Sequence, residues 1–155
     1  MIEFFRWCDA TWISNVIRNS TWIFPIVEVF HLLGLTMLLG TVTLIDARIL
    51  GLGMRRQSIS KVGTDLTPWM LGGAALTICT GIPLFLSEAM KCYGNAAFPY
   101  KMSCLAGGLV LVALTQRSIN SPKTRMNPAL MKVVAVLSLC LWYGVALAGR
   151  AIAFV

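Results

Sequence analysis

Four long apolar segments set the terms for this chain: Trp22 to Ile45, Pro68 to Leu86, Met102 to Thr115 and Pro128 to Val155. A helix needs about 20 apolar residues to cross the hydrocarbon core of a bilayer. An open sheet cannot cross, because lipid offers no partner to its edge. The third segment is the shortest, and it spans with Tyr100 and Lys101 snorkelling at one end and Arg117 at the other. Composition agrees, since 57% of the 155 residues are apolar and 12% are charged, against roughly 45–50% and 25% in a soluble domain. The predicted fold class is therefore all-α, a polytopic membrane four-helix bundle with spans at about 22–45, 68–87, 100–116 and 128–153.

Residues 1–20 precede the spans, and Phe4, Phe5, Cys8, Trp12, Ile13, Val16 and Ile17 recur there at helical spacing. They read as one interfacial amphipathic helix of about four turns. A signal peptide would need a continuous apolar stretch, which this segment lacks. Thr67-Pro68 and Asn127-Pro128 each put a capping side chain before a proline and so predict helix starts. Pro25 and Pro83 are expected to bend or loosen their spans.

The net charge is +7, and its basic residues flank apolar runs, which points to a membrane surface and away from nucleic acid. Arg48, Arg55, Arg56, Lys61, Arg117, Lys123, Arg125 and Lys132 fall on one side of the bilayer, while Arg6, Arg18, Lys91, Lys101 and Arg150 fall on the other. That bias predicts a bacterial inner-membrane protein with both termini on the non-cytoplasmic side. Asp46 and Arg48, at the exit of the first span, are expected to meet headgroups and the basic loop. The cysteines stand singly at Cys8, Cys79, Cys92, Cys104 and Cys140, which speaks against a metal cluster. Cys8 and Cys92 share the non-cytoplasmic side in this topology, where a disulfide persists if the two meet. Two unrelated thiols are the other reading.

Ionisable residues at depth are the informative ones, because each is costly in lipid unless it is paired or faces a cavity. Counting about 1.5 Å per residue from Trp22, Glu28 lies roughly 9 Å in and His31 roughly 14 Å in. Their spacing puts both on one helix face. His31 is the single histidine of the chain, and three roles are open to it. It can be a neutral imidazole bonded to a neighbouring helix, an axial ligand to haem, or a metal or proton relay with Glu28. Arg150 lies at a similar depth in the last span, so a Glu28–Arg150 ion pair between spans one and four is expected. Glycines and threonines in the spans (Gly34, Gly40, Gly72, Gly73, Thr77, Thr80, Gly81, Gly107, Gly108, Gly144, Gly149) permit close helix packing or leave volume for a flat cofactor.

The run His31-Leu-Leu-Gly34, then Gly40, Leu44-Ile-Asp46-Ala-Arg48-Ile-Leu-Gly51, Phe85-Leu-Ser-Glu88, Asn95-Ala-Ala-Phe98, Leu141-Trp142 and Ala148-Gly149-Arg150-Ala-Ile-Ala153 resembles an uncharacterised family of four-helix bacterial membrane proteins. The likeness covers about residues 20–155. The His-x-x-Gly start of span one is distantly similar to copper-resistance D-type proteins and to membrane protoporphyrinogen oxidases. That resemblance implies His31 as a tetrapyrrole-facing residue.

No nucleophile triad, acid/base pair or closed metal shell marks a self-sufficient enzyme. The expected function is an integral membrane subunit or anchor of a larger complex, linked to electron transfer through haem b or quinone near His31. Its expected partners are the lipid bilayer and other membrane subunits or further copies of itself. The alternative is a small proton- or ion-coupled transporter or channel-forming oligomer using Glu28 and His31, and an enzyme acting on a lipophilic substrate is third.

Overall fold

The computed structural model describes residues 2–54, 56–120 and 126–154. Its elements, all helical among the described residues, are α1 (Ile2–Asp9), α2 (Trp12–Asn19), α3 (Ile23–Leu50), α4 (Ile59–Ser87), α5 (Ala89–Gly94), α6 (Ala97–Asn120) and α7 (Pro128–Phe154). Helices α3, α4, α6 and α7 are long and apolar enough to cross a membrane. They contain 28, 29, 24 and 27 residues. At 1.5 Å per residue even the shortest is about 36 Å long, more than the roughly 30 Å hydrocarbon core. Arg55, Lys123 and Arg125, counted above among the basic loop residues, lie outside the described residues.

The bundle is two antiparallel pairs, α3 with α4 and α6 with α7, joined mainly where α3 meets α7. Its core runs along α3 as Leu38, Val42, Ile45 and Ile49, a stripe at three- and four-residue spacing, and meets Met70 of α4 and Met131, Ala135 and Trp142 of α7. Trp142 is the largest side chain that is fully buried, and it lies flat over Gly108 of α6, where a Cβ would sit 3.1 Å from the indole. An even number of spans puts both termini at one end, called here the terminal end. The α3–α4 connection occupies the other, basic end.

Three helix boundaries show which local signals governed. Asn127 caps α7 as its sequence suggests, with Oδ1 accepting from the Ala129 N–H at 3.0 Å, and Pro128 takes the first helical position. Thr67-Pro68 does not start α4. Ser58 caps that helix instead, accepting from the Lys61 N–H at 3.1 Å, and Pro68 lies inside it. A spanning helix tolerates the lost N–H because neighbouring helices and hydroxyls re-satisfy the backbone. At the end of α3, Gly51 adopts φ 79°, and Leu52 N–H reaches the Ala47 carbonyl at 2.9 Å. Only glycine takes that left-handed turn without strain.

The N-terminal segment departs from the single amphipathic helix expected of it. It breaks at Ala10-Thr11, because the Thr11 hydroxyl closes one helix on the Cys8 carbonyl at 2.8 Å and caps the next by accepting from Ser14 N–H at 3.3 Å. Arg18 then ties α2 back to Asp9 at 2.6 Å. The apolar side chains divide between two directions. Phe4, Trp7, Trp12 and Ile13 are exposed, whereas Cys8, Ser14 and Ile17 are buried against the bundle. Phe5 enters an aromatic cluster with Phe85, Tyr93 and Phe98 at centroid distances of 5.2–6.3 Å. These helices therefore close the terminal end of the bundle.

The tightest seam is α3 against α4. A Cβ on Gly73 would lie 2.7 Å from the Leu38 nitrogen, and one on Gly34 would lie 2.8 Å from Thr77 Oγ1. Gly73→Ala is expected to destabilise the protein by about 1–3 kcal/mol through overpacking. Gly40→Ala, which meets nothing within 4 Å, should be neutral or slightly stabilising. Unfolding of both variants in mixed micelles against SDS fraction measures the difference, and equal stabilities would contradict the seam.

Candidate functional site

The Gly34–Gly73 contact brings the next turn of each helix together on the terminal side. His31, one turn before Gly34, meets Thr77 and Thr80 of α4. Its Nδ1 lies 3.1 Å from the Thr77 carbonyl oxygen and 3.1 Å from Thr80 Oγ1. A carbonyl can only accept. The Thr80 hydroxyl donates to the Leu76 carbonyl at 2.6 Å, so it too acts as an acceptor toward the ring. Both neighbours therefore put the proton on Nδ1, and in the neutral imidazole Nε2 carries the lone pair. The Cε1–Nδ1 edge of the ring abuts Gly81, where a Cβ would come within 3.0 Å of Cε1 and 3.4 Å of Nδ1. Alanine at position 81 would push the imidazole off its two acceptors.

Lys101 joins this group from α6. It was expected to snorkel outward beside Tyr100, but only Tyr100 is exposed. Helix α6 starts at Ala97, about one turn before Lys101. Lys101 therefore falls on the face that continues through the buried Cys104 and Gly108. Its ammonium rests on α7, where a Cβ on Gly149 would sit 3.4 Å from Nζ. Its charge acts on both His31 and Cys92. Among the described residues no ion pair to Lys101 is formed.

Glu28 is exposed on α3, yet close enough for its charge to act on the imidazole. Arg150 is exposed on α7. Cys8 and Cys92 are both buried, on α1 and α5, which pack together. Both are free thiols, so this contact stands without a covalent link. Burial pushes the Cys92 thiol up from its ordinary value, which keeps it protonated and slow to react near neutral pH. Among the described residues, no three His, Cys, Asp or Glu side chains gather as a metal site.

Asp46 is the residue the sequence reading misplaced. It was assigned to headgroups and the basic loop, but it is 2% exposed inside the bundle. The core stripe of α3 decides this: Asp46 follows Val42 by one turn and so shares its inward face. Arg48 does lie toward the surface, with Nε donating to the Gln57 carbonyl at 2.8 Å.

The chain belongs to the family of unknown function DUF6644, which it matches over residues 4–155. No curated protein and no solved structure matches it.

Because the chain holds one histidine, its ¹⁵N spectrum reports His31 alone. In haem-free protein at neutral pH, Nδ1 is expected to resonate as a protonated nitrogen and Nε2 as an unprotonated one. Thr80→Val should leave that tautomer in place, because the Thr77 carbonyl remains. A spectrum of the opposite tautomer would overturn the assignment.

Proposed function

We propose that this member of the family is a membrane-embedded subunit of an electron-transfer assembly that holds a haem through Nε2 of His31. The observation that carries this reading is the Nδ1 contact with the Thr77 carbonyl. Histidines that ligate iron commonly donate the other ring N–H to a carbonyl or carboxylate, which fixes the ring and raises its basicity. The donor set fits the group in two further respects. Lys101 supplies a half-buried ammonium near the imidazole, suited to an anionic propionate. Gly81 leaves the ring edge without a side chain to crowd it.

A bound haem would supply one-electron redox chemistry, which the side chains at this seam do not offer. The chain's own part is to hold the imidazole in one tautomer and orientation, keep water away with the apolar walls of α3 and α4, and place one positive charge nearby. A second axial imidazole cannot come from the same chain, since it has one histidine. Any second imidazole at the iron would come from a partner subunit or a second copy, whereas a methionine ligand could come from this chain. The basic end faces the cytoplasm in this reading, as the positive-inside bias requires.

Titration of detergent-solubilised protein with haemin should give a Soret band at one haem per chain or per pair of chains. His31→Ala should abolish the band with the helical circular-dichroism signal intact. Lys101→Met should weaken binding about tenfold, the value of one charge-assisted hydrogen bond. Wild-type protein that takes up no haemin would refute the haem reading, and a stable monomer that co-purifies with nothing in mild detergent would count against the subunit role.

A further inference from the structure

At the basic end, helices α3, α4, α6 and α7 surround a small pocket lined by Asp46, Met70, Val112, Thr115, Gln116 and Ser138. About 10 Å³ of it is open to the centre of a water molecule, close to what one buried water requires. Two oxygens there are buried and lack a hydrogen-bond partner: Asp46 Oδ2 and Thr115 Oγ1. Among the described residues the one other buried oxygen in this state is Thr43 Oγ1, one turn along α3 from Asp46 and not part of the pocket lining. Thr36, Thr41, Thr67, Thr77 and Thr80 all donate to a carbonyl of their own helix at 2.6–2.9 Å. Thr115 makes no such bond and leaves its hydroxyl to the pocket.

The charge balance sharpens the point. The groups facing Asp46 are Met70 from α4, Val112, Thr115 and Gln116 from α6, and Ser138 from α7. None titrates and none is a cation. Ser138 gives the carboxyl one side-chain hydrogen bond, while Gln116 accepts from the Thr67 hydroxyl at 3.2 Å through Oε1 and directs its Nε2 donor to Met70 Sδ at 3.9 Å. An isolated carboxylate in so apolar a setting costs far more than its neighbours return, and such a group is neutralised. A metal cation is poorly served, because the thioether of Met70 and the methyls of Val112 form much of the wall. A proton asks only for a hydrogen-bond acceptor, and the pocket holds room for one.

We propose that Asp46 is a reversible proton-binding site, with one water between Oδ2 and Thr115 Oγ1 as the route of exchange. On release the O–H bond at Oδ2 breaks toward the water, the electron pair stays on the carboxylate, Ser138 keeps its hydrogen bond to the carboxylate, and Thr115 holds the water. The water becomes hydronium and gives its proton to bulk water at the basic end, returning to neutral water. This site does not depend on haem binding at His31.

Infrared difference spectra of the full-length protein in liposomes, titrated from about pH 5 to about pH 9 in H₂O and D₂O, test this directly. The carbonyl stretch of a protonated carboxyl should appear at low pH, shift in D₂O and fade as pH rises. Asp46→Asn should remove it. Thr115→Val should retain the band at a changed frequency with slower deuterium exchange, so the proposal remains testable if Asp46→Asn does not fold. A band that persists across the whole range would make Asp46 a permanently neutral structural donor and overturn the proposal. Absence of the band at every pH, with stability that rises in sodium over choline chloride, would overturn it in favour of a bound metal cation.

Discussion

The close approach of α3 and α4 at Gly34 and Gly73 governs the rest of the bundle. With no side chain on either residue, the two backbones come within contact distance, and a Cβ on Gly73 would stand 3.0 Å from the Gly34 carbonyl oxygen. In lipid there is little hydrophobic gain from bringing apolar helices together, so dispersion at such a seam and the few polar contacts beside it carry the association. The seam also fixes the helical register. One turn toward the terminal end it sets His31 against Thr77, Thr80 and Gly81, and one turn toward the basic end it starts the stripe of Leu38, Val42 and Ile45. The tautomer of the single histidine is thus a consequence of two missing side chains.

The same economy of polar groups explains why Asp46 stands apart. A spanning helix must satisfy its hydroxyls internally, and Thr36, Thr41, Thr67, Thr77 and Thr80 of α3 and α4 do so by donating to carbonyls within their own helices. Against that background an unpartnered Asp46 Oδ2 and Thr115 Oγ1 facing one pocket are a local exception, paired in space across α3 and α6. Trp142 Nε1 is also without a partner, but its indole is packed on Gly108 and serves as a wedge between α6 and α7. The difference is that tryptophan brings a large apolar body that rewards burial, whereas the carboxyl brings none.

Much of the fold was legible in the sequence because hydropathy over twenty residues is a strong signal and lipid permits few structures. The ends were harder. Thr67-Pro68 looks like a helix start, and only the apolar residues Val62 and Leu66, with Gly63, show that the helix already exists there. The break at Thr11 is a competition between one long helix and two capped short ones, decided by a single hydroxyl. Of the site residues, His31 was visible as a costly group at depth. Asp46 and Lys101 were hidden by their nearness to span ends, where charges usually reach water. The signal that would have found them is phase: Asp46 continues the α3 stripe, and Lys101 precedes Cys104 and Gly108 on the inward face of α6. Distance from the span end is therefore a weaker guide than angular position on the helix.

Angular position also determines how the two polar sites relate. His31 and Asp46 lie on the same helix about four turns apart, roughly 22 Å at 1.5 Å per residue, with Leu38 and Val42 buried between them. At an effective dielectric of about 20, unit charges at that separation interact by only about 0.8 kcal/mol. Leu38 and Val42 make the intervening stripe apolar, and the Thr41 hydroxyl beside it is committed to the Met37 and Leu38 carbonyls at 2.9 Å. Protonation at one end therefore changes the other by less than a factor of ten, unless the helices move. The same stripe that insulates the sites also makes α3 rigid enough to transmit a displacement, because its core residues pack against α4 and α7 together. Coupling between charge at His31 and the proton at Asp46 accordingly calls for a movement of α3 as a whole against α4, where Gly34 and Gly73 meet backbone and Thr77.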